Sequence, residues 1–588
     1  FVYGFDQGTV ELISPFISLE QTQTKQTIDL KKPVRYGRHQ ILIRTQSILE
    51  TQEGYLPISD SALSERPNSR YLGSPWKVYS RYSYSYKKQL LLGFTAEKDA
   101  GEEFFSGSNK KGYDYYSGFI QLNNVWKIKT IVIGDYEPRF GQGLNLWSGF
   151  AYGKSTEALL IEKRQSGIRR YTSTNENQFF RGMATTIKLG DFDFSAFFSS
   201  KKIDANVLER DSLDQEPNHV SGFIETGIHA TPGEISDRKS LSEIIYGGNL
   251  NYTKNRFHAG FTMVQFLYDA EISAGDSPYE ASEFSGKSGN KIGSDYKYTF
   301  RKGTVFGEVS CAPGHGWAFI QGGLFPLAEQ LSLAILYRYY SPGFIPIYSN
   351  AFSENSSILN ENGFYIGARI FPFRKWDFSA YIDIFSFPWL KYRTSAPSRG
   401  SEFFFQANYA TSNSLNMHWR IQYEKKSENL PTVEEMVKTG EKQKWRVRYQ
   451  VDYQLSGSLK LRNRVEWTGL NKNESFSEGY LIYQDIIYKS NSIPLDVTFR
   501  YALFDTDSYD NRIYAYENDV LYAFSIPPYY GKGIRAYILL HSSLNKHIDL
   551  WFRISRTSFS DRKLIGSGLT TINGNHKTEL KLQARLKF

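Results

Sequence analysis

Between Trp445 and Trp467 the chain changes chemical character at every second residue. Trp445, Val447, Tyr449, Val451, Tyr453 and Leu455 alternate with Arg446, Arg448, Gln450, Asp452 and Gln454. After Ser456, Gly457 and Ser458 the pattern resumes, with Leu459, Leu461, Val465 and Trp467 set against Lys460, Arg462, Arg464 and Glu466. Side chains alternate faces along a strand, so this hairpin has one apolar wall and one charged wall. The stretch from Thr578 to Phe588 repeats the pattern. Leu580, Leu582, Ala584, Leu586 and Phe588 share one parity, and Lys581, Gln583, Arg585 and Lys587 the other. The apolar wall requires a cover, either protein or lipid. A transmembrane β-barrel meets that need, because it pairs every backbone group around a closed sheet, faces lipid with an apolar, aromatic-girdled surface and keeps a polar interior.

A mean hydropathy of −0.46 reads at first as a soluble chain. No stretch approaches the roughly 20 consecutive apolar residues of a membrane helix, so helical membrane proteins are excluded. A barrel escapes that test because half of each strand is polar. The 42 Tyr, 42 Phe and 10 Trp suit two interfacial girdles better than an ordinary globular core. Cys311 is the single cysteine, so no intramolecular disulfide can form; on a strand it reads as a small packed residue.

Turn signals set the strand count. Tight turns are expected near Lys87-Lys88, Asn123-Asn124, Gly190-Asp191, Asn255-Arg256, Lys302-Gly303, Glu329-Gln330, Lys375-Trp376, Asn413-Ser414, Gly457-Ser458, Asn491-Ser492 and Asn545-Lys546. Gly, Asn, Asp and Ser supply the backbone conformations that short hairpins need. Each is followed, one strand later, by a longer and more polar connection, as in barrels with short periplasmic turns and long outer loops. The expected fold is therefore all-β: a large closed antiparallel barrel of about 24 strands (22–26) spanning 39–588. Both chain ends would lie on the periplasmic side of a Gram-negative outer membrane. The prolines of Ile526-Pro527-Pro528 place Val520 to Tyr530 in a loop.

Parity assigns the faces. Arg446, Arg448, Lys460, Arg462, Arg464, Lys581 and Arg585 face the lumen. Tyr82, Tyr84, Tyr86, Trp445, Tyr449, Tyr453, Trp467 and Phe588 face lipid or form the girdles. With a net charge of +9, the lumen would carry a positive bias. The preferred reading is that charges of both signs pair across the wall and stabilise the barrel, since Glu308, Asp383, Asp452 and Glu466 share the inner face. Two connections are unusually long. Pro138 to Asn177 is rich in Gly and aromatic residues, and is expected to fold into the barrel or rest on its rim; Arg139, Phe140, Trp147 and Phe150 are its candidate constriction. Lys201 to Glu243 is charged, with His219, His229, Asp211, Asp214 and Glu216.

Gly141-Gln142-Gly143 lacks the helix, Lys and Ser/Thr of a phosphate-binding loop. The histidines are scattered, and a solvated acidic loop is preferred to a metal site at His219 and His229. No Ser, His and acid trio can be assigned from spacing. The expectation is thus no catalytic residue, no metal and no cofactor.

Residues 1–17 differ from the rest. Asp6 can cap a short helix carrying Val10, Ile13 and Ile17, which Pro15 would kink or end. Tyr3-Gly4-Phe5-Asp6 followed by Thr9-Val10-Glu11-Leu12-Ile13 resembles the last hairpin and helix of a competence-type helix-hairpin-helix domain. Bacteroidota outer-membrane barrel families carry such a domain ahead of the barrel. The resemblance implies a hairpin turning its N–H groups toward a nucleic-acid phosphate, although Asp6 stands where a second glycine would be expected; a periplasmic cap or fragment is the other reading. Residues 18–38 read as a polar linker. The chain opens at Phe1 with no signal peptide in view, so one is expected to have been removed or left out.

Barrels near 22 strands hold a plugged lumen, and one of about 24 must also be closed. About 33 residues precede the first strand, too few for a globular plug. The preferred reading is a non-enzymatic conduit, or a subunit of a larger outer-membrane transport or assembly complex, closed by its own long loops or by a protein partner. Outer-membrane lipid and lipopolysaccharide would surround it. A nucleic-acid uptake barrel and an anion-biased porin are the alternatives.

Overall fold

The computed structural model describes residues 35–149, 153–210, 217–412, 414–430, 438–473 and 475–588. The helix-hairpin-helix resemblance at 1–17, nearly all of the 18–38 linker, the turn residue Asn413 and the constriction candidate Phe150 lie outside them.

Twenty-four antiparallel strands form one closed barrel, from Arg38–Ile48 to His576–Lys587. The last closes onto the first, with Gln40 opposite Lys587 and Ile48 opposite Glu579. His39 and Phe588 exchange backbone hydrogen bonds of 2.7 and 3.1 Å, and their rings stack at 5.0 Å. Among the described residues the α-helices are the short Asp60–Glu65 and Pro232–Asp237, and no helix is long and apolar enough to cross a membrane.

The alternation seen in the sequence sets the register. On one face Arg448 lies opposite Glu466 and Asp452 opposite Arg462; on the other Tyr449 lies opposite Val465 and Val447 opposite Trp467. The outer face is an exposed apolar surface, including Ile133, Phe198, Phe261, Ile382, Val447 and Leu503. Running inward from the short-turn rim, Trp376 stacks on Trp419 at 5.7 Å, and Trp419 packs against Tyr449 at 5.3 Å. Cys311 is exposed on this outer face opposite Trp317, rather than packed as the sequence suggested.

Three expectations shift. Asn123 belongs to the strand Tyr115–Val125, opposite Thr130, and the chain reverses at Trp126-Lys127 instead. The side chain of Asn123 accepts hydrogen bonds from Gln121 and Thr130, which holds it in the ladder. The regular alternation of short and long connections also fails on the long-loop rim. There three residues separate the strands ending Ala312 and beginning Gly316, and two separate those ending Lys472 and beginning Ser475. Finally, part of the connection from Lys201 to Glu243 is ordered as sheet: Ala205–Arg210 pairs with Pro217–Phe223, and Thr231 caps Pro232–Asp237 through a reciprocal bond pattern with Glu234.

The core lies inside the barrel. Phe197, Ile245, Val264, Phe306, Leu336 and Tyr365 project from the inner wall and are buried against Phe140, Leu144, Ala158 and Ile345 of inward-folded connections. A uniformly polar lumen is therefore not what this half of the barrel contains. The sequence signal was present in strands such as Phe192–Ile203, where aromatic residues occur on both parities.

Candidate functional site

The long connection after Arg139 turns into the barrel because of two glycines. Gly141 and Gly143 take φ of +58° and +88°, and a Cβ at position 143 would lie 2.3 Å from the Asn350 carbonyl oxygen. This backbone path brings the N–H groups of Gln142, Leu144 and Asn145 onto one carboxylate, that of Glu308, at 2.5, 3.1 and 2.9 Å. Successive amides in such a nest bind an anion. The Gly-Gln-Gly stretch is thus an anion cradle after all, filled by a side chain of the barrel's own wall. Asn145 then donates to the Thr262 carbonyl oxygen and accepts from Ser310.

Further along, Lys154 reaches Glu354 and Glu402 and lies 3.0 Å from Asp383. Asp383 takes both terminal nitrogens of Arg338 at 2.8 and 3.0 Å, while Arg338 Nε donates to Glu361. Arg338, Asp383 and Glu361 are fully buried. Gly363 makes room for this fork: a Cβ there would sit 2.3 Å from the Arg338 guanidinium carbon. The Ala158 amide donates to Ser379 Oγ, and its carbonyl accepts from the Tyr365 hydroxyl.

A second inward segment, 341–360, interlocks with the first. Trp147 N–H donates to the Tyr348 carbonyl, Asn350 N–H to that of Gly143, and Ser349 Oγ to that of Leu144. Lys291 of the wall anchors it through the Ile347 carbonyl and Ser349 Oγ at 2.6 and 2.7 Å. A third segment, 507–531, is held by Glu517, which bridges Arg535 and Arg553, and by Asp519, which receives Lys581. Beside the first two segments a cavity of about 910 Å³ remains, lined by Arg139, Tyr171, Asn177, Glu243, Tyr348 and Asn350 among others.

The basic residues singled out by parity all lie on the inner face with partners. Arg448 and Arg464 bind Glu466 at 2.8 and 2.9 Å, and Lys460 and Arg462 bind Asp452 at 3.0 and 2.8 Å. Lys581 binds Asp519, and Arg585 lies 2.7 Å from Asp549. Arg446 is the loosest, 3.9 Å from Glu424 and bonded to Gln422. On the opposite parity Trp445, Tyr449, Tyr453 and Phe588 are exposed, and Trp467 donates to Glu478. Tyr82 bonds His39 at 2.8 Å, whereas Tyr84 and Tyr86 are buried rather than exposed. Of the candidate constriction, Arg139 ends its strand in an ion pair with Glu137, Phe140 is buried against Phe197, and Trp147 is buried within reach of Arg139 and Lys163. These residues are brought together, but as packing of the inward segment.

At the long-loop rim the structure assembles a cluster that spacing did not reveal. His229 donates from both ring nitrogens, to Asp114 at 2.7 Å and Asp204 at 3.0 Å, and its backbone N–H donates to Glu102. His229 with Asp114 and Glu102, or with Asp204 and Glu176, presents ligand atoms within 4.8 Å of one another, a donor set that fits a divalent cation. Burial works to lower the His229 pKa, but the hydrogen bonds and charges of Asp114 and Asp204 prevail and raise it to about 10. Burial, then the Asp114 charge, pushes Glu176 up to about 9 and Glu102 up to about 7. His219, by contrast, lies on the Pro217–Phe223 strand beside Glu209 and Glu271. Asp204 lies 25 residues from His229, but Asp114 and Glu102 lie 115 and 127 residues away on another connection, so no motif could announce the set.

No family model and no curated protein matches the chain. Among solved structures, it is similar over 94% of its length to 80% of the siderophore receptor PirA from Pseudomonas aeruginosa, at 7% identity and a TM-score of 0.42. The FrpB iron transporter from Neisseria meningitidis matches over 96% of this chain and 83% of its own, at 11% identity and 0.40. The copper transporter OprC matches over 94% and 80%, at 8% and 0.40. No function is taken from likeness at this level.

Proposed function

We propose that this chain is a non-enzymatic transport barrel of a Gram-negative outer membrane, closed at rest by its own inward-folded connections. One observation carries the reading: the first inward segment is seated on Glu308 by three backbone amides and interlocked with residues 341–360 inside the wall. A barrel of this width needs such an obstruction to preserve a permeability barrier. The exposed apolar outer face supports a lipid environment, and the contrast of short and long rims supports periplasmic placement of the short turns. Lipopolysaccharide contact, a capping protein partner and membership of a larger assembly are further proposals. So is descent from the helix-hairpin-helix-bearing Bacteroidota families. The nucleic-acid alternative draws little from the wall, since Arg448, Arg462 and Arg464 are already held by carboxylates.

Planar-bilayer conductance of the purified chain tests the reading, measured with and without co-purifying proteins. The intact chain should be nearly silent, and a variant with residues 346–357 replaced by a short Gly-Ser bridge should conduct strongly while keeping the gel mobility of a folded barrel. Large steady current through the intact chain, abolished by a partner, would overturn closure by its own loops.

A further inference from the structure

One part of the inner wall is not neutralised in the manner of the rest. Where the strands Leu415–Asn429 and Thr439–Gln454 face the 507–531 connection, a cavity of about 230 Å³ is lined by Lys426, Lys442, Lys444, Arg446 and Arg512. Its own carboxylates are Glu424 and Asp510, and two more from just outside it, Glu354 and Glu428, pair with Lys426 and Lys442. Both of its own carboxylates are shared: Glu424 binds Lys426 and lies 3.9 Å from Arg446, while Asp510 stands 3.8 Å from each of Lys442 and Lys472.

Lys444, Arg446 and Arg512 are the three cations of this lining whose close partners are neutral groups. Lys444 donates to the Asp510 backbone carbonyl. Arg512 donates from Nε to the Tyr514 hydroxyl and from Nη1 to the Tyr509 carbonyl, which leaves Nη2 without a bond to any described residue. Arg446 likewise relies on Gln422. Two guanidinium groups and the Lys444 ammonium converging on one cavity match a multiply charged tetrahedral oxyanion, which can accept from several donors at once. Chloride would offset one charge of the three. At about 30 Å³ per water, the cavity holds roughly seven to eight water molecules, enough for a phosphate group or two.

We infer that this cavity is a binding site for the phosphate groups of a small soluble ligand, of the inorganic phosphate, pyrophosphate or phosphomonoester class. The inner face admits solutes from the lumen, whereas lipid headgroups lie on the opposite side of the wall, and Arg446 and Asp510 are 39% and 40% exposed. The site does not depend on whether the barrel conducts.

Calorimetric titration of the full chain in detergent with sodium pyrophosphate, at ionic strength held constant with chloride, tests it. Saturable binding is expected, at least tenfold weaker in the Lys444→Gln/Arg512→Gln double variant and within threefold of the original in Lys444→Arg. Should the double variant not fold, acylation footprinting of the unaltered chain serves instead: pyrophosphate should slow modification of Lys444 by at least fivefold and leave Lys546 unaffected. Heat no greater than that of chloride, unchanged affinity in the folded double variant, or equal protection of both lysines would overturn the proposal.

Discussion

Two stretches of inner wall share one sequence pattern and have different fates. Around Arg338 the charges are fully buried, because the inward segments carry Lys154 and Glu354 across to meet them. Around Arg446, Arg448 and Arg462 the charges are 20–39% exposed and pair chiefly with neighbours along the wall. Alternation places a charge on the inner face, but the connection folded over it decides whether that charge acts as a structural clamp or as a solvated wall. A buried pair is hard to break because removing one partner strands the other, while an exposed pair contributes little.

The sharpest way to break this comparison is Arg338→Leu. It leaves buried Asp383 with Lys154 and buried Glu361 with the backbone amides of Glu354 and Asn355, and should cost about 3–5 kcal/mol in denaturant unfolding of the folded barrel. A cost below about 1 kcal/mol would mean that water reaches the network and that the two regions are alike. Next in size is the face test at Tyr449. Near the centre of the apolar run from Trp445 to Tyr453, Tyr449→Arg should lower stability in lipid by about 2–4 kcal/mol. Arg448→Leu, one residue away, should cost less than about 1 kcal/mol, because Glu466 retains Arg464. Equal effects would undo the assignment of faces.

Glu308→Gln should act on closure more than on the barrel. The three amides lose a charged acceptor, each such bond being worth about 1.5–3 kcal/mol before relaxation, so the folded barrel should survive with transient single-channel openings at least tenfold more frequent. Unaltered current would show that residues 341–360 seal the lumen unaided. The smallest effect concerns the rim. His229, Glu176 and Glu102 bind protons more tightly folded than unfolded, so their contribution is full below the unfolded pKa values and lost as pH rises through about 7 to about 10. Amide exchange in residues 225–240 should accelerate a few-fold across that window beyond the intrinsic pH dependence, and His229→Gln should flatten the response.

The barrel was legible because strand parity and turn chemistry are local. Arg448 opposite Glu466 follows from a hairpin centred on Gly457, with nothing else needed. The turn at Trp126-Lys127 was missed because Asn123 satisfies its side chain within the ladder. The inward plug was only half legible. Gly141 and Gly143 marked an unusual backbone, and Glu308 lay on the inner parity, but 163–166 residues separate the carboxylate from the amides it receives. No periodicity links such positions. The His229 cluster was hidden for the same reason, with Asp114 lying 115 residues from its histidine.

The seam between the first and last strands also constrains how the molecule is made. Glu50 binds Thr578 across 528 positions, so the first strand waits for its second neighbour until every other strand exists. Throughout that interval the growing sheet has two open edges able to pair with other chains. A closed barrel forms only where those edges reach each other before they pair elsewhere. Substitutions at His39 or Phe588 should depress the yield of closed barrels by more than their effect on the finished barrel's resistance to unfolding.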